Sequence, residues 1–182
     1  MHQFHRIENI DNKWYNDFLS IYSISFPLHE QRNHEQQLYA FGNKHYRLFC
    51  QNNENRLDAF LAFWDFEEYV YIEHFAVNDK IRGKSIGTNT LRQFKKEIKK
   101  TIVLEIDPVI DEITAKRLDF YQKLDFKLCP FKHIHPAYHK KYEPHELLVL
   151  SSDSILSPAM YETFRNDLNK IVMGCLSTAN LE

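Results

Sequence analysis

Three places in the chain carry residue types whose spacing can do chemistry. The first is Arg82-Gly83-Lys84-Ser85-Ile86-Gly87-Thr88, a basic stretch with small residues at 83, 85 and 87. An apolar, β-branched and aromatic run over residues 70–77 precedes it, broken at Asn78-Asp79. A helical pattern with Ile86, Leu91, Phe94 and Ile98 on one face follows it. A strand handing over to a helix through small residues makes an anion site. The first-turn N–H groups have no intrahelical partner, and the macrodipole puts partial positive charge on them. Arg82 and Lys84 add charge for a phosphate ligand. The second and third places are carboxylates inside apolar strand-like runs, Glu73 in 70–77 and Glu105 in 102–106. A buried carboxylate with a raised pKa takes a proton directly or through a water; a paired structural carboxylate is the equal alternative for each.

The spacing of the basic stretch excludes two common phosphate loops. A P-loop needs G-x-x-x-x-G-K-[ST], whereas Gly83 and Gly87 stand too close together and no Lys-Ser/Thr pair follows. A dinucleotide fingerprint needs three glycines where two are present.

The elements that must position these groups follow from pattern. With 182 residues and 43% hydrophobic content, the chain fits one domain, residues 1–182, with a real core. The net charge of −2 gives no basic field that would point to nucleic acid or a membrane surface. No signal-peptide or membrane-spanning run is visible, and Cys50, Cys129 and Cys175 are odd in number and far apart, so a cytoplasmic protein with reduced thiols is expected. Residues 3–10 predict a first strand and Asp11-Asn12 a helix cap, with Trp14, Phe18, Ile21 and Tyr22 on the helix face. A polar helix over 33–41 follows, then strands over 46–50 and 57–64 around a polar turn at 51–55, then the strand from Tyr69. Residues 113–124 predict a helix, 130–144 a loop with three prolines, 146–150 a strand, and 158–173 a C-terminal helix capped by Ser157 with Pro158 at its first position.

The stretch Arg82 to Gly87 resembles the [QR]-x-x-G-x-[GA] pyrophosphate loop of the GNAT (Gcn5-related) N-acetyltransferase family, with Ser85 in place of the central glycine. Ser85 must avoid a positive φ there or carry strain. The resemblance continues through Leu104-Glu105-Ile106, at the position of a strand of the type LEV. It ends at Phe120-Tyr121-Gln122-Lys123-Leu124-Asp125-Phe126, where Asp125 replaces the glycine of F-Y-x-x-x-G-F. It covers residues 69–126, about a third of the chain. The fold it implies is α/β (α+β): one domain with a mixed central sheet, antiparallel N-terminal strands, a splayed parallel pair and flanking helices. The coenzyme-binding core would be about 69–126, with a C-terminal strand and helix over 145–174.

The implied activity is transfer of acetyl from acetyl-CoA to a primary amine, small-molecule or peptide, by direct transfer in a ternary complex, with no metal. The resemblance places Phe75, Ala76, Val77, Arg82, Gly83, Lys84, Ser85, Ile86, Gly87, Thr88, Thr114 and Arg117 at the coenzyme. Thr114 stands where many members have an asparagine that holds pantetheine. Phe26, Glu30, Arg32 and Tyr138 fall near the acceptor mouth; a solvated loop is an equal reading for the first three. Tyr121 takes the place of the tyrosine that donates to departing sulfur, since a phenol with pKa about 10 stays protonated at neutral pH. Glu105 and Glu73 are the two candidates for the base. Homodimers are common in the family. The rival from another class is a noncatalytic acyl-CoA-binding regulatory module, left open by Ser85 and Asp125. His133, His135 and His139 lack ligand spacing and a supporting cysteine, and are expected to face solvent from their loop.

Overall fold

A run of aromatic and aliphatic side chains over residues 59–64, buried at every position, forms the centre of the first of two compact units. The computed structural model describes residues 3–53 and 55–174; Glu54, within the expected polar turn, and Cys175 lie outside them. The units are Met1–Ile102 and Val103–Glu182.

In the first unit, β1 (Phe4–Ile7), β2 (Tyr46–Asn53), β3 (Arg56–Asp65) and β4 (Tyr69–Val77) pair antiparallel in that order. Burial of β3 on both faces explains its unbroken apolar run. On one face α1 (Tyr15–Ser25) sets Phe18 edge-on to Phe60 at 4.8 Å. On the other, α3 (Ile86–Glu97) sets Phe94 against Phe63 at 4.9 Å. Such aromatic pairs add about 0.5–1.5 kcal/mol each beyond their area burial. Between α1 and β2 lie a 3-10 turn at Leu28–Glu30 and α2 (His34–Gly42). Asn33 caps α2 reciprocally: its Oδ1 accepts from the Gln36 N–H at 2.9 Å, and Gln36 Oε1 accepts from the Asn33 N–H at 2.8 Å.

The ends of elements differ from the sequence reading. β1 stops at Ile7 rather than residue 10. Asn12 does not cap α1 directly; its Oδ1 accepts from the Trp14 N–H at 3.0 Å in a turn before the helix.

The second unit is built on β8 (His145–Ser152). On one edge lies β5 (Thr101–Ile106, beginning in the last residues of the first unit), with Val103 opposite Ser151 and Ile106 opposite Leu148. The other edge takes β7 (His133–His135) and then β6 (Phe126–Leu128), all antiparallel to β8. Helix α4 (Glu112–Gln122) follows β5, and α5 (Pro158–Asp167) runs into a π-helical turn at Leu168–Val172. Ser157 caps α5 through the Met160 N–H at 3.2 Å, with Pro158 at the first position as the sequence predicts. The stretch expected as a solvated loop, 130–144, contains β7, and His133 and His135 on that strand are 1% and 2% exposed. Alternation puts both rings on one face, and that face is covered. The mixed α/β class expected from the sequence is the class found.

Candidate active site

The loop expected from the sequence to hold an anion begins where β4 ends. Asn78 holds the exit: its Nδ2 donates to the Leu57 carbonyl at 3.0 Å and its Oδ1 accepts from the Lys80 N–H at 3.1 Å. A single 3-10 turn, Asp79–Ile81, buries Ile81 as an anchor. The chain then turns left-handed twice, at Gly83 (φ +82) and Ser85 (φ +57, ψ +16). A Cβ on Gly83 would meet nothing within 4 Å, so its backbone conformation, not lack of room, favours glycine. Ser85 takes the strained alternative foreseen for it, as does Asp125 (φ +65), the other residue that replaces a family glycine. Both sites keep the glycine backbone without the glycine. Ser85 gives no side-chain cap to α3, so no hydroxyl competes for the first-turn N–H groups, and residues 82–85 are exposed. Thr90 locks the helix start from below, donating to Gln51 Oε1 (2.7 Å) and to the Ile86 carbonyl (2.8 Å) as alternative acceptors.

Upstream, β4 carries Phe75, Ala76 and Val77 opposite Leu61, Phe60 and Ala59 of β3. Glu73, on the same strand, is fully enclosed. Its carboxylate meets Arg32 at 2.7 Å and accepts from Trp64 Nε1 at 2.8 Å, and the Arg32 guanidinium lies 5.5 Å from the Trp64 ring. Burial alone would raise the Glu73 pKa, but the Arg32 and His74 charges and the Trp64 and Arg32 hydrogen bonds together carry it below the ordinary carboxylate value. Glu73 is therefore a paired, buried carboxylate. Arg32 is buried with it rather than open to solvent. Phe26 packs edge-on against His74 at 4.6 Å, and the Glu30 carbonyl accepts from His74 Nε2 at 2.9 Å, so the turn at Leu28–Glu30 is pinned to β4. Tyr22 accepts from the Arg32 N–H at 2.8 Å; burial, then the Glu73 charge, push its pKa up.

In the second unit Glu105 projects from β5 into the covered face of β7. One carboxylate oxygen is hydrogen-bonded to His133 Nε2, and the other lies 3.8 Å from His135 Nε2. Behind the first contact, His133 Nδ1 meets the Tyr161 hydroxyl at 3.0 Å, and that hydroxyl donates to the Lys132 carbonyl at 3.2 Å. Tyr138 is buried and stacks on His135 at 5.2 Å.

Tyr121 is partly buried near the end of α4, beside Phe120 and Phe126 at 5.1 and 5.7 Å. Burial pushes its pKa up to about 12 despite the opposing Arg117 charge. Thr114 completes the α4 capping box: its N–H donates to Asp111 Oδ1 at 2.7 Å and its hydroxyl accepts from the Asp111 N–H at 3.1 Å. Arg117 pairs with Asp107. Among the described residues, no group of three or more His, Cys, Asp and Glu side chains is arranged to hold a metal, and no helix is long and apolar enough to cross a membrane.

Sequence reasoning gives no site role to His74 or Tyr161 and assigns His133 to a solvent-facing loop, where it is instead buried. The His-Ile-His alternation was the available signal for His133, since period 2 marks a strand with one covered face. His74 and Tyr161 carry no local signal.

Comparison with known proteins identifies the family. Residues 12–126 match the profile of the acetyltransferase (GNAT) family. The chain belongs to the GNAT acetyltransferase family. Over 69 residues it is 36% identical to "Putative acetyltransferase YjbC" of Bacillus subtilis (strain 168), a stretch that is 37% of this chain and 35% of that protein. The match therefore spans about a third of the relative. A solved structure described as "Putative acetyltransferase from GNAT family" of Bacteroides thetaiotaomicron superposes with a TM-score of 0.87 at 26% identity, covering 94% of this chain and 98% of that one. A GNAT acetyltransferase of Elizabethkingia anophelis, solved with acetyl-CoA bound, has a TM-score of 0.55 at 15% identity, covering 84% and 97%. At that identity the likeness is one of fold.

Proposed function

We propose that the chain is an N-acetyltransferase that moves the acetyl group of acetyl-CoA directly to a primary amine with both substrates bound. The observation that carries this reading is the start of α3: two left-handed residues and no side-chain cap leave its first-turn N–H groups to an outside anion. Residues 82–88 hold the diphosphate, with Arg82 and Lys84 as charge partners. Acetyl-CoA supplies the activated acyl group; the main chain of Phe75, Ala76 and Val77 orients it and donates to its carbonyl oxygen. From the family resemblance we carry over a coenzyme role for Thr114 and Arg117 and an acceptor role for Phe26, Glu30, Arg32 and Tyr138. Arg32 acts there through Glu73 rather than by touching the acceptor.

The acceptor arrives as an ammonium of reference pKa about 10.4, without a lone pair. One of its protons must reach a base and another ends on the coenzyme sulfur. Of the two carboxylates, Glu105 suits the base better, because Arg32 holds Glu73 anionic. Tyr121 faces a thiolate of intrinsic pKa about 8.5 with its own at about 12. It therefore stabilises the departing sulfur by hydrogen bonding and stays protonated throughout the neutral range.

The test is a panel of primary amines with acetyl-CoA, read by thiol release. Turnover on at least one amine with saturation in both substrates supports the reading. Coenzyme binding with no turnover on any amine favours the noncatalytic acyl-CoA-binding module.

A further inference from the structure

We infer that His74 is a positioning residue: its Nε2–H ties the main chain of residues 26–32 to β4, and so sets that segment beside the strand residues that orient the acetyl group. This deepens the function proposed above and rests on it for the acceptor role of Phe26, Glu30 and Arg32. The starting point is an irregularity in β4. In the pairing with β3, Ala62 stands opposite His74 and Phe63 opposite Ile72, so Glu73 is the extra residue of a β-bulge. Neighbouring side chains of a regular strand point to opposite faces, and a bulge interrupts that alternation. Here Glu73 and His74, adjacent in the chain, both reach the same segment. Glu73 takes the Arg32 guanidinium at 2.7 Å. His74 takes the Glu30 carbonyl at 2.9 Å and packs edge-on to Phe26 at 4.6 Å. The next three residues of the strand are Phe75, Ala76 and Val77.

The two attachments fix different things. Arg32 is held through a long side chain, which can keep its ion pair while the backbone behind it shifts. The bond from His74 is to main chain, and it fixes where the Glu30 backbone stands. Its hydrogen is settled by the acceptor. A carbonyl oxygen can only accept, so the bond to Glu30 places a hydrogen on Nε2 whether the ring is neutral or charged. The Tyr22 hydroxyl, 3.4 Å from the same nitrogen, therefore does not donate to it; it accepts from the Arg32 N–H at 2.8 Å. The buried His74 ring also meets Tyr22 edge-on at 4.9 Å, so α1 and the turn both bear on it. The bonds inside the turn are local. Gln31 Nε2 donates to the Phe26 carbonyl at 2.6 Å and the Glu30 N–H to the Pro27 carbonyl at 2.9 Å. They shape the turn without attaching it to the sheet. On its outer side the turn leaves Leu28 exposed and the Glu30 side chain partly so, the surface that an acceptor meets.

The experiment compares His74→Gln with His74→Met in the full chain. The two replacements have nearly the same length and shape, and glutamine keeps a terminal N–H donor that methionine lacks. Amide hydrogen exchange read by NMR needs no acceptor substrate. With methionine the Glu30 carbonyl loses its donor, so the N–H groups of Glu30, Gln31 and Arg32 exchange about tenfold faster than in the wild type. With glutamine they stay within about threefold of it, and the amides of β2 and β3 are unchanged in both. Equal exchange in the wild type and the methionine variant overturns the inference. Equal acceleration in both variants also overturns it, because ring packing rather than the hydrogen bond would then hold the segment. The kinetic arm uses the amine of the panel with the highest turnover. Its KM rises about tenfold with methionine and recovers with glutamine, while coenzyme A affinity by calorimetry is the same in all three proteins. An amine KM that does not follow the exchange overturns the positioning role. If no amine is acetylated the proposed function falls, and the exchange comparison still decides whether His74 holds the segment.

Discussion

Arg32 and Glu73 face each other at 2.7 Å with side chains 1% and 0% exposed, so each is the other's buried counter-charge, and Trp64 donates to Glu73 as well. Such a pair contributes little over an apolar replacement, but removal of one member strands a buried charge. Arg32→Met should destabilise the protein by about 3–5 kcal/mol, and Arg32→Met with Glu73→Leu by clearly less. Urea denaturation of the two variants checks this. Equal losses would mean that the pair is not coupled.

The same pair gives a signed pH dependence. The folded-state pKa of Glu73 is depressed. Its stabilisation is therefore complete above the unfolded value of about 4.3 and is lost as pH falls through the lower folded value. Glu73→Gln should flatten the acid limb of stability against pH below about 4.3 and leave its slope at neutral pH unchanged. Thermal melts from pH 7 to pH 2.5 read the difference.

Tyr121→Phe should lower kcat by about 100-fold with coenzyme A affinity unchanged. Because the phenol titrates only at about 12, the wild-type rate should show no loss assignable to this tyrosine up to about pH 10. An alkaline limb near the ordinary tyrosine value that disappears in the variant would contradict the burial argued for it.

Ser85 and Asp125 carry left-handed backbones that L residues adopt at a cost of about 1–2 kcal/mol. Glycine removes that strain but frees the unfolded chain by about 0.5–1 kcal/mol. Ser85→Gly should stabilise by up to about 1 kcal/mol; Asp125→Gly should gain less, since aspartate tolerates this region better. Ser85→Val should both destabilise and weaken coenzyme binding. Denaturation midpoints decide the sign.

Much of this was legible in the sequence, for reasons that differ by element. The apolar run of 70–77, the small residues at 83, 85 and 87, and the cap Ser157 are local signals, and their elements stand where the residues put them. What could not be read is set by partners distant in sequence. Glu73 looked like a carboxylate out of place because Arg32, 41 positions earlier, supplies its counter-charge. His133 looked like a loop residue because three prolines and many polar neighbours mask a three-residue strand. That strand is covered in part by Glu105, 28 positions upstream, and Tyr161, 28 downstream. Thr114 also has a local role that the resemblance did not show, since its hydroxyl closes the capping box with Asp111.

The claim that main-chain nitrogens of residues 82–88 grip the coenzyme diphosphate is tested most directly by titration calorimetry of coenzyme A into the wild type and Gly83→Val. Valine at a φ of +82 disrupts the loop while its Cβ meets no neighbour, so the rest of the first unit should keep its circular dichroism. The account predicts a saturable one-to-one heat in the wild type and an affinity at least about tenfold weaker in the variant, about 1.4 kcal/mol. Absence of heat in the wild type, or equal affinity in both, would contradict it.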